Sequence, residues 1–178
     1  MSIIEATLKT PYQYAEEVKE LLEAALAETE EGAVDKSYVY WGRPAIYVGC
    51  DQLVVSGWNI GESNTVGQPS SGGVRHIHGR VNLIGFLVTV ARACAPTFTD
   101  EGDPPTDADL SAAGERMHDS AWACWTRIYQ AANAKTLFEG KSRELFMDGL
   151  RSLDTSGTMM AFELEFRAEI YGIIASGT

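Results

Sequence analysis

The sequence predicts an α+β protein, with a largely antiparallel sheet and helices packed on one face of it. Two observations predict this: apolar stripes at a spacing of about 3.6 residues, and one long segment in which apolar and polar residues alternate. The alternating segment, Met160–Tyr171, places Phe162, Leu164 and Phe166 on one side and charged residues on the other. Such a strand belongs to a sheet that is covered on one side only. We expect a single domain over residues 1–178, which is long enough to form a core without disulfides.

The first element is a helix that begins after Thr10. A proline suits the first helical position, and Thr10 with Gln13 has the pattern of a capping box. Apolar side chains then recur at helical spacing over residues 14–26, and Gly32 is the expected stop. The glutamates on the other faces of this helix indicate a solvated outer surface.

Short β-branched and aromatic segments follow the first helix. Ser37–Trp41, Ile46–Val48 and Leu53–Ser56 are separated by turn residues, which predicts hairpin strands. Residues 62–73, with the sequence ESNTVGQPSSGG, form a polar loop that we expect to be mobile in a free subunit and ordered against a neighbour. A second extended block is predicted over Val74–Ala95.

An acidic linker separates these strands from the second helix. Residues 96–109 contain five acidic residues, three prolines and no basic residue, so we expect them to be extended and exposed to solvent. Thr106 with Asp109 has the pattern of a helix cap. A shorter helix is predicted over Lys141–Leu153. The apolar stripe of the second helix consists of Leu110, Met117, Ala121, Cys124, Trp125, Ile128 and Ala132.

The composition argues against two kinds of partner. The chain has 25 acidic residues and 14 lysines and arginines, a formal net charge of −11. An acidic surface neither holds nucleic acid by its phosphates nor contacts a membrane through a basic patch. The longest apolar run, Leu83–Val90, is far shorter than the roughly 20 residues that span a bilayer. Three cysteines without a CxxC pair, and an N-terminus without a secretion signal, favour a soluble protein made in a reducing compartment.

Two histidines form the strongest candidate for a metal site. His76 and His78 alternate on an extended segment and therefore share a face, which is half of a zinc or copper site. The only other histidine, His118, lies on the predicted second helix, and the spacing indicates no third ligand. With arginines on both sides, the segment is interpreted as a small basic strand, and we expect no metal or other cofactor.

Other candidate catalytic groups have structural explanations. Cys50 beside Asp51 has the chemistry of a nucleophile, but a lone cysteine at a strand end is more often a small buried apolar residue. Glu163 and Glu165 are same-face carboxylates, which a solvated strand face explains. We therefore expect no catalytic residues. A cluster of aromatic residues is interpreted as core or as a contact surface for a partner, and it consists of Tyr38, Tyr40, Trp41, Tyr47 and Trp58.

The order of elements resembles one family along nearly the whole chain. The chain resembles the tail terminator proteins of long-tailed siphophages, particularly those of actinobacterial phages. The resemblance rests on the capped first helix, the short strands, the polar loop over 62–73, the later helices and the closing strand over Phe162–Ile170. The resemblance implies a structural α+β subunit without an enzymatic site. Six copies of such a subunit form a ring that caps the tail tube, stops its elongation and offers a docking surface to the head-side connector.

The resemblance also implies the partners and the location. The partners are copies of the chain itself, the tail tube protein and the head–tail connector protein, and genomic DNA passes through the lumen without specific binding. The location is the tail–neck junction of the virion, after assembly in the host cytoplasm and with no membrane contact. The linker over 96–109 is long and acidic for this family. The alternatives are a head–tail connector, a tail tube subunit, or a small cytoplasmic metal-binding enzyme that uses His76 and His78.

Overall fold

In the part of the chain that the structure describes, the fold consists of two helices and a five-stranded sheet. The structure is a computed structural model that describes residues 9–41, 50–62, 81–98, 102–153 and 159–171. A short 3₁₀ turn, Leu137–Gly140, precedes the fourth strand. In chain order the elements are α1 (Pro11–Ala27), β1 (Lys36–Val39), β2 (Gln52–Glu62), β3 (Val81–Arg92), α2 (Asp107–Asn133), β4 (Ser142–Leu153) and β5 (Met160–Tyr171).

The sheet has the strand order β1-β2-β3-β5-β4. All neighbouring strands pair antiparallel except β1 and β2, which are parallel. The predicted α+β fold with a largely antiparallel sheet is therefore confirmed. Two of the three predicted hairpin strands, Ser37–Trp41 and Leu53–Ser56, correspond to β1 and β2, which pair directly and in parallel, Lys36 with Gln52 and Val39 with Val55. Strands joined in a hairpin pair antiparallel, so β1 and β2 are not partners in one.

Both helices pack on one face of the sheet, as predicted. Phe162, Leu164 and Phe166 of β5 are buried in the same cluster as apolar residues of α1 and α2. Phe86 of β3 stacks on Phe166 with ring centroids 4.9 Å apart. Phe138, in the turn between α2 and β4, also stacks on Phe86, with centroids 5.6 Å apart. The face of β5 expected to be apolar is therefore the one that faces the helices.

The second face of the sheet differs from the expectation of a solvated surface. Gln52, Thr89 and Glu169 lie on this face and are fully or almost fully buried. Glu163 and Glu165, which the alternation also assigned to this face, are partly buried. Alternation identifies which side chains share a face, but it does not say how much of that face solvent reaches.

The two capping boxes form as the sequence predicts. Thr10 and Gln13 cap α1, and Thr106 and Asp109 cap α2, each with both reciprocal hydrogen bonds. α1 ends at Ala27, earlier than the predicted stop at Gly32, which lies in the following turn at a φ of 72°.

The buried stripe of α2 differs from the predicted one at its first member. Met117, Ala121, Cys124 and Ile128 are buried as expected, but Leu110 in the first turn is 51% exposed. The described part of the preceding linker, which includes Pro104, has no helix or strand and is mostly exposed.

The cap of α2 offers a first testable prediction. Thr106→Ala removes the hydroxyl that accepts a hydrogen bond from the Asp109 backbone N–H. We expect the free energy of unfolding to fall by about 1 kcal/mol in a urea titration, because an orphan helix donor loses its partner. Ser111→Ala, an exposed change inside the same helix, is the control. Equal midpoints for Thr106→Ala and the wild type would contradict a stabilising role for this cap.

The predicted helix over Lys141–Leu153 is wrong, because residues Ser142–Leu153 form β4. This strand pairs along its whole length with β5 and has register shifts near Ser142 and at Met147/Gly149. Pairing with a distant strand decides the conformation here, since strand formation depends strongly on tertiary context. The predicted strand over Ile46–Val48 and most of the loop over 62–73 lie outside the described residues, although Glu62 itself ends β2. The block predicted over Val74–Ala95 contains β3.

Candidate assembly surface

Strands β1 and β4 lie at the two edges of the sheet formed by the described residues. An edge strand has one row of backbone N–H and C=O groups that its own sheet does not pair. The two edges are unlike: β1 has four residues and β4 has twelve. Proteins usually protect such edges with short strands, charges or bulges, so a long edge strand is a place where another chain can pair.

A groove of about 600 Å³ runs between the edge strand β4 and helix α2. Its wall on the helix includes Gly114, Met117 and Ala121, and its wall on the sheet includes Leu150 and Phe162. A smaller hollow of about 190 Å³ lies further along the same helix and strand, against Tyr129, Ala132 and Leu145. The larger groove is therefore mostly apolar, whereas the smaller hollow also has polar walls from Asn133 and Ser142.

Exposed aromatic side chains also occur on α2. Trp122 is 57% exposed and Tyr129 is 55% exposed. The His118 ring lies nearly parallel to the Trp122 indole, with centroids 6.4 Å apart. Leu150 on β4 adds a further apolar side chain that is 40% exposed. Large apolar groups that cluster on a surface are typical of contact sites for other proteins.

Ion pairs hold β4 against β5. Two guanidinium nitrogens of Arg151 donate to the same Glu163 oxygen at 2.8 and 2.5 Å. Arg167 donates to both oxygens of Asp148 at 2.7 and 2.6 Å, and its guanidinium carbon lies 5.4 Å from the centroid of the Phe146 ring. These hydrogen bonds raise the pKa of both arginines. Glu163, considered above as half of an acid–base pair, is therefore the partner of a basic residue on the neighbouring strand.

The opposite edge of the sheet has its own exposed aromatic residues. Tyr40 and Trp41, which follow β1, are 48% and 54% exposed. The six-membered ring of Trp41 lies over Gly57, so close that a Cβ at this glycine would be 2.6 Å from it. Of the aromatic cluster predicted as core or partner contact, these two are therefore surface groups and Tyr38 is partly buried. The side chains of Tyr47 and Trp58 lie outside the described part of the structure.

A buried arginine forms a contact that the sequence analysis missed. Arg92 at the end of β3 is fully buried, and it donates to the Asp51 carboxylate at 3.0 Å and to the Gly32 carbonyl at 2.8 Å. Asp51 also accepts the backbone N–H of Ala93 at 2.7 Å. These bonds join the start of β2, the end of β3 and the turn after α1. Asp51 therefore has a structural role, and the signal for it was an arginine directly after a mostly apolar segment.

The remaining candidate groups do not form a reactive site in the described part of the chain. Cys50 and Cys94 are partly buried, and burial raises the pKa of the Cys124 thiol to about 12. His118 is exposed and lies 3.7 Å from Asp119. Within the ranges that the structure describes, no group of three or more potential ligands could hold a metal ion. His76 and His78 lie outside those ranges.

Among the described residues, no helix is long and apolar enough to cross a membrane.

Comparisons with known proteins show few similarities. Neither a protein-family model nor a curated protein matches this sequence. Among solved structures, 24 chains match. One belongs to a structure titled "Virion of native gene transfer agent (GTA) particle"; it is 13% identical to this chain with a TM-score of 0.37, and the match covers 91% of this chain and 92% of that one. A similarity at this level decides nothing about the role of the present chain.

Proposed function

We propose that this chain is a structural virion protein, a tail terminator. Six copies form a ring that caps the tail tube, stops its elongation and presents a docking surface to the head-side connector. The observation that best supports this role is the pair of unlike sheet edges, each next to exposed aromatic side chains. The specific assignment comes from the resemblance noted in the sequence, of which the capped first helix and the closing strand are present and the helix over Lys141–Leu153 is instead the strand β4.

Two unlike edges suit a ring. A closed ring built by rotation uses heterologous contacts, in which one surface of each subunit meets a different surface of the next. The edge at β1 and the edge at β4 lie at opposite ends of one sheet, so each subunit can contact two neighbours at once. Strand addition by a neighbour suits the long edge strand β4.

The charge of the chain fits the passage of DNA through such a ring. A net charge of −11 repels phosphates, so a lumen lined by this chain would let the genome pass without holding it. The proposed partners are therefore the tail tube protein and the head–tail connector protein, and the proposed location is the tail–neck junction. This role requires no catalytic residue and no cofactor.

Electron microscopy of finished virions tests the assignment. We expect the chain in a single ring of six copies between the tube and the connector, and we expect purified protein to cap isolated tail tubes at one end. Many stacked copies along the tube would contradict the terminator role and favour a tube protein. Stoichiometric zinc or copper in purified protein, lost on replacing His76 and His78, would instead favour the metal-binding alternative.

A further inference from the structure

We propose that two copies of the free protein pair through β4, antiparallel and related by a two-fold axis, so that their sheets become continuous. The axis passes between Met147 and Asp148, which places Glu144 of one copy opposite Arg151 of the other. Such a contact uses the same surface of both copies. The proposal concerns the protein before assembly and stands independently of the ring proposed above.

The outer edge of β4 is open to another strand. Within the described part of the chain, the backbone of β4 has hydrogen bonds with β5 and with no other element. The strand has twelve residues and no proline, so neither its length nor its composition blocks pairing. Its outward N–H and C=O groups gain partners when a second antiparallel strand lies beside them.

The ladder with β5 shows which β4 side chains share a face of the sheet. Leu145 and Leu150 pair with core residues of β5 and so lie on the helix side. The other face carries Glu144, Phe146, Gly149 and Arg151. In the proposed pairing Leu145 meets Leu150, Phe146 meets Gly149 and Glu144 meets Arg151. Each of these residues therefore meets a residue of its own face.

The charged pairs of this contact are complementary. Glu144 is exposed and has no ion pair within the described part of the chain. The Arg151 side chain is 64% exposed, and its Nε and Nη2 donate to Glu163, which leaves Nη1 for a second carboxylate. Opposite charges directly across two strands stabilise the pair, and like charges destabilise it. Sliding the strands by two residues separates Glu144 from Arg151, so the two symmetric ion pairs select this register.

The centre of the contact has room for the partner. Asp148 is the extra residue of a bulge in β4, because Met147 and Gly149 pair with successive residues of β5. The axis passes beside this bulge, so both copies have it at the same place and the pairs on either side stay in register. A Cβ at Gly149 would meet nothing within 4 Å, so open space lies beside this glycine. The Phe146 ring of the other copy covers that space, since an aromatic residue across from an edge glycine stabilises a sheet.

The contact has enough hydrogen bonds for a specific dimer. Antiparallel pairing over residues 144–151 adds roughly six to eight backbone hydrogen bonds, within the range of about 10 ± 5 in a typical interface. Leu150, which is 40% exposed in one copy, is covered by Leu145 of the other. An edge that is paired in this way is closed to a neighbour in a ring. The dimer is therefore a form of the free protein that opens before assembly.

Charge reversal on β4 tests this contact. Glu144→Arg and Arg151→Glu each place like charges opposite one another at both ends of the contact. Glu20→Arg, an exposed reversal on α1, is the matched control. Sedimentation velocity of the whole chain measures dimerisation, and circular dichroism confirms that each variant folds.

We expect the wild type to form a dimer. Each β4 variant alone should have a dissociation constant at least about tenfold higher, while the control stays within about twofold of the wild type. An equimolar mixture of Glu144→Arg and Arg151→Glu should dimerise again, because every facing pair then has opposite charges. Should Arg151→Glu fail to fold beside Glu163, the comparison of Glu144→Arg with Glu20→Arg decides the question. Hydrogen exchange over residues 142–153 should slow as the wild-type dimer forms.

Three results would contradict the proposal. The wild type could remain monomeric up to its solubility limit, Glu144→Arg could dimerise like the control, or exchange over 142–153 could stay unchanged on dimerisation. Each result would remove the β4 dimer and leave the ring proposal as it stands. Conversely, virions in which the chain forms no ring would contradict the proposed function and leave the dimer of the free protein intact.

Discussion

Phe166→Ala is expected to lower the free energy of unfolding by about 3–5 kcal/mol, and Leu164→Ala by about 2–5 kcal/mol. Both side chains are fully buried in the middle of β5, and the Phe166 ring stacks on Phe86. Truncation removes apolar contacts and leaves a cavity that a central strand, paired on both sides, cannot close by moving. Urea unfolding followed by tryptophan fluorescence measures both effects.

The glutamates of the same strand are the matched controls. Glu165→Ala and Glu163→Ala should change the free energy of unfolding by no more than about 1 kcal/mol, because both side chains lie outside the apolar core and the arginine that pairs with Glu163 is largely exposed. Under the proposed function, they should affect ring assembly or its salt dependence if this face meets a neighbour or the DNA path. If the glutamate variants unfold while Leu164→Ala and Phe166→Ala are as stable as the wild type, the core described for β5 is wrong.

Asp51→Ala is expected to destabilise the fold by about 3–5 kcal/mol. The change removes the carboxylate that pairs with Arg92, and it leaves a fully buried guanidinium with a backbone carbonyl as its described acceptor. An uncompensated buried charge is more unfavourable than the intact pair is favourable, so the loss exceeds the value of the contact itself. Chemical denaturation of the purified variant measures the change.

An exposed pair provides the comparison for Asp51. Asp148→Ala breaks the ion pair with Arg167 at the sheet edge, where solvent reaches both groups, and should destabilise the fold by less than about 1 kcal/mol. A double variant that replaces both Asp51 and Arg92 with apolar residues should be more stable than Asp51→Ala. Equal losses for Asp51→Ala and Asp148→Ala would show that burial of the arginine has no energetic consequence.

The elements with strong local signals were predictable from the sequence. α1 and α2 begin where Thr10 and Thr106 cap them, because the capping bonds lie within three residues of one another in the chain. β5 was predictable because its alternation is long and strict. β4 was not, since the residues over 142–153 have no consistent period, and their conformation depends on a ladder with β5 that no local pattern encodes.

The candidate surface was predictable only in part. The sequence predicts that the aromatic residues around Trp41 belong either to the core or to a partner contact. It does not choose between the two, and the structure shows that the Trp41 side chain is half exposed. The groove could not be predicted, because it exists only when Ser142–Leu153 is a strand beside α2. The Arg92–Asp51 pair joins residues 41 positions apart, and only the packed sheet brings them together.

The central position of β5 has a consequence for how the protein is made. This strand pairs with β3 on one side and β4 on the other, yet a ribosome synthesises it after both. Until residue 171 has emerged from the ribosome, β3 and β4 both lack β5, the strand that lies between them in the sheet. Contacts between segments so distant in the chain form slowly, and open strand edges favour association with other chains. Synthesis of this subunit should therefore depend on chaperones that shield the incomplete sheet.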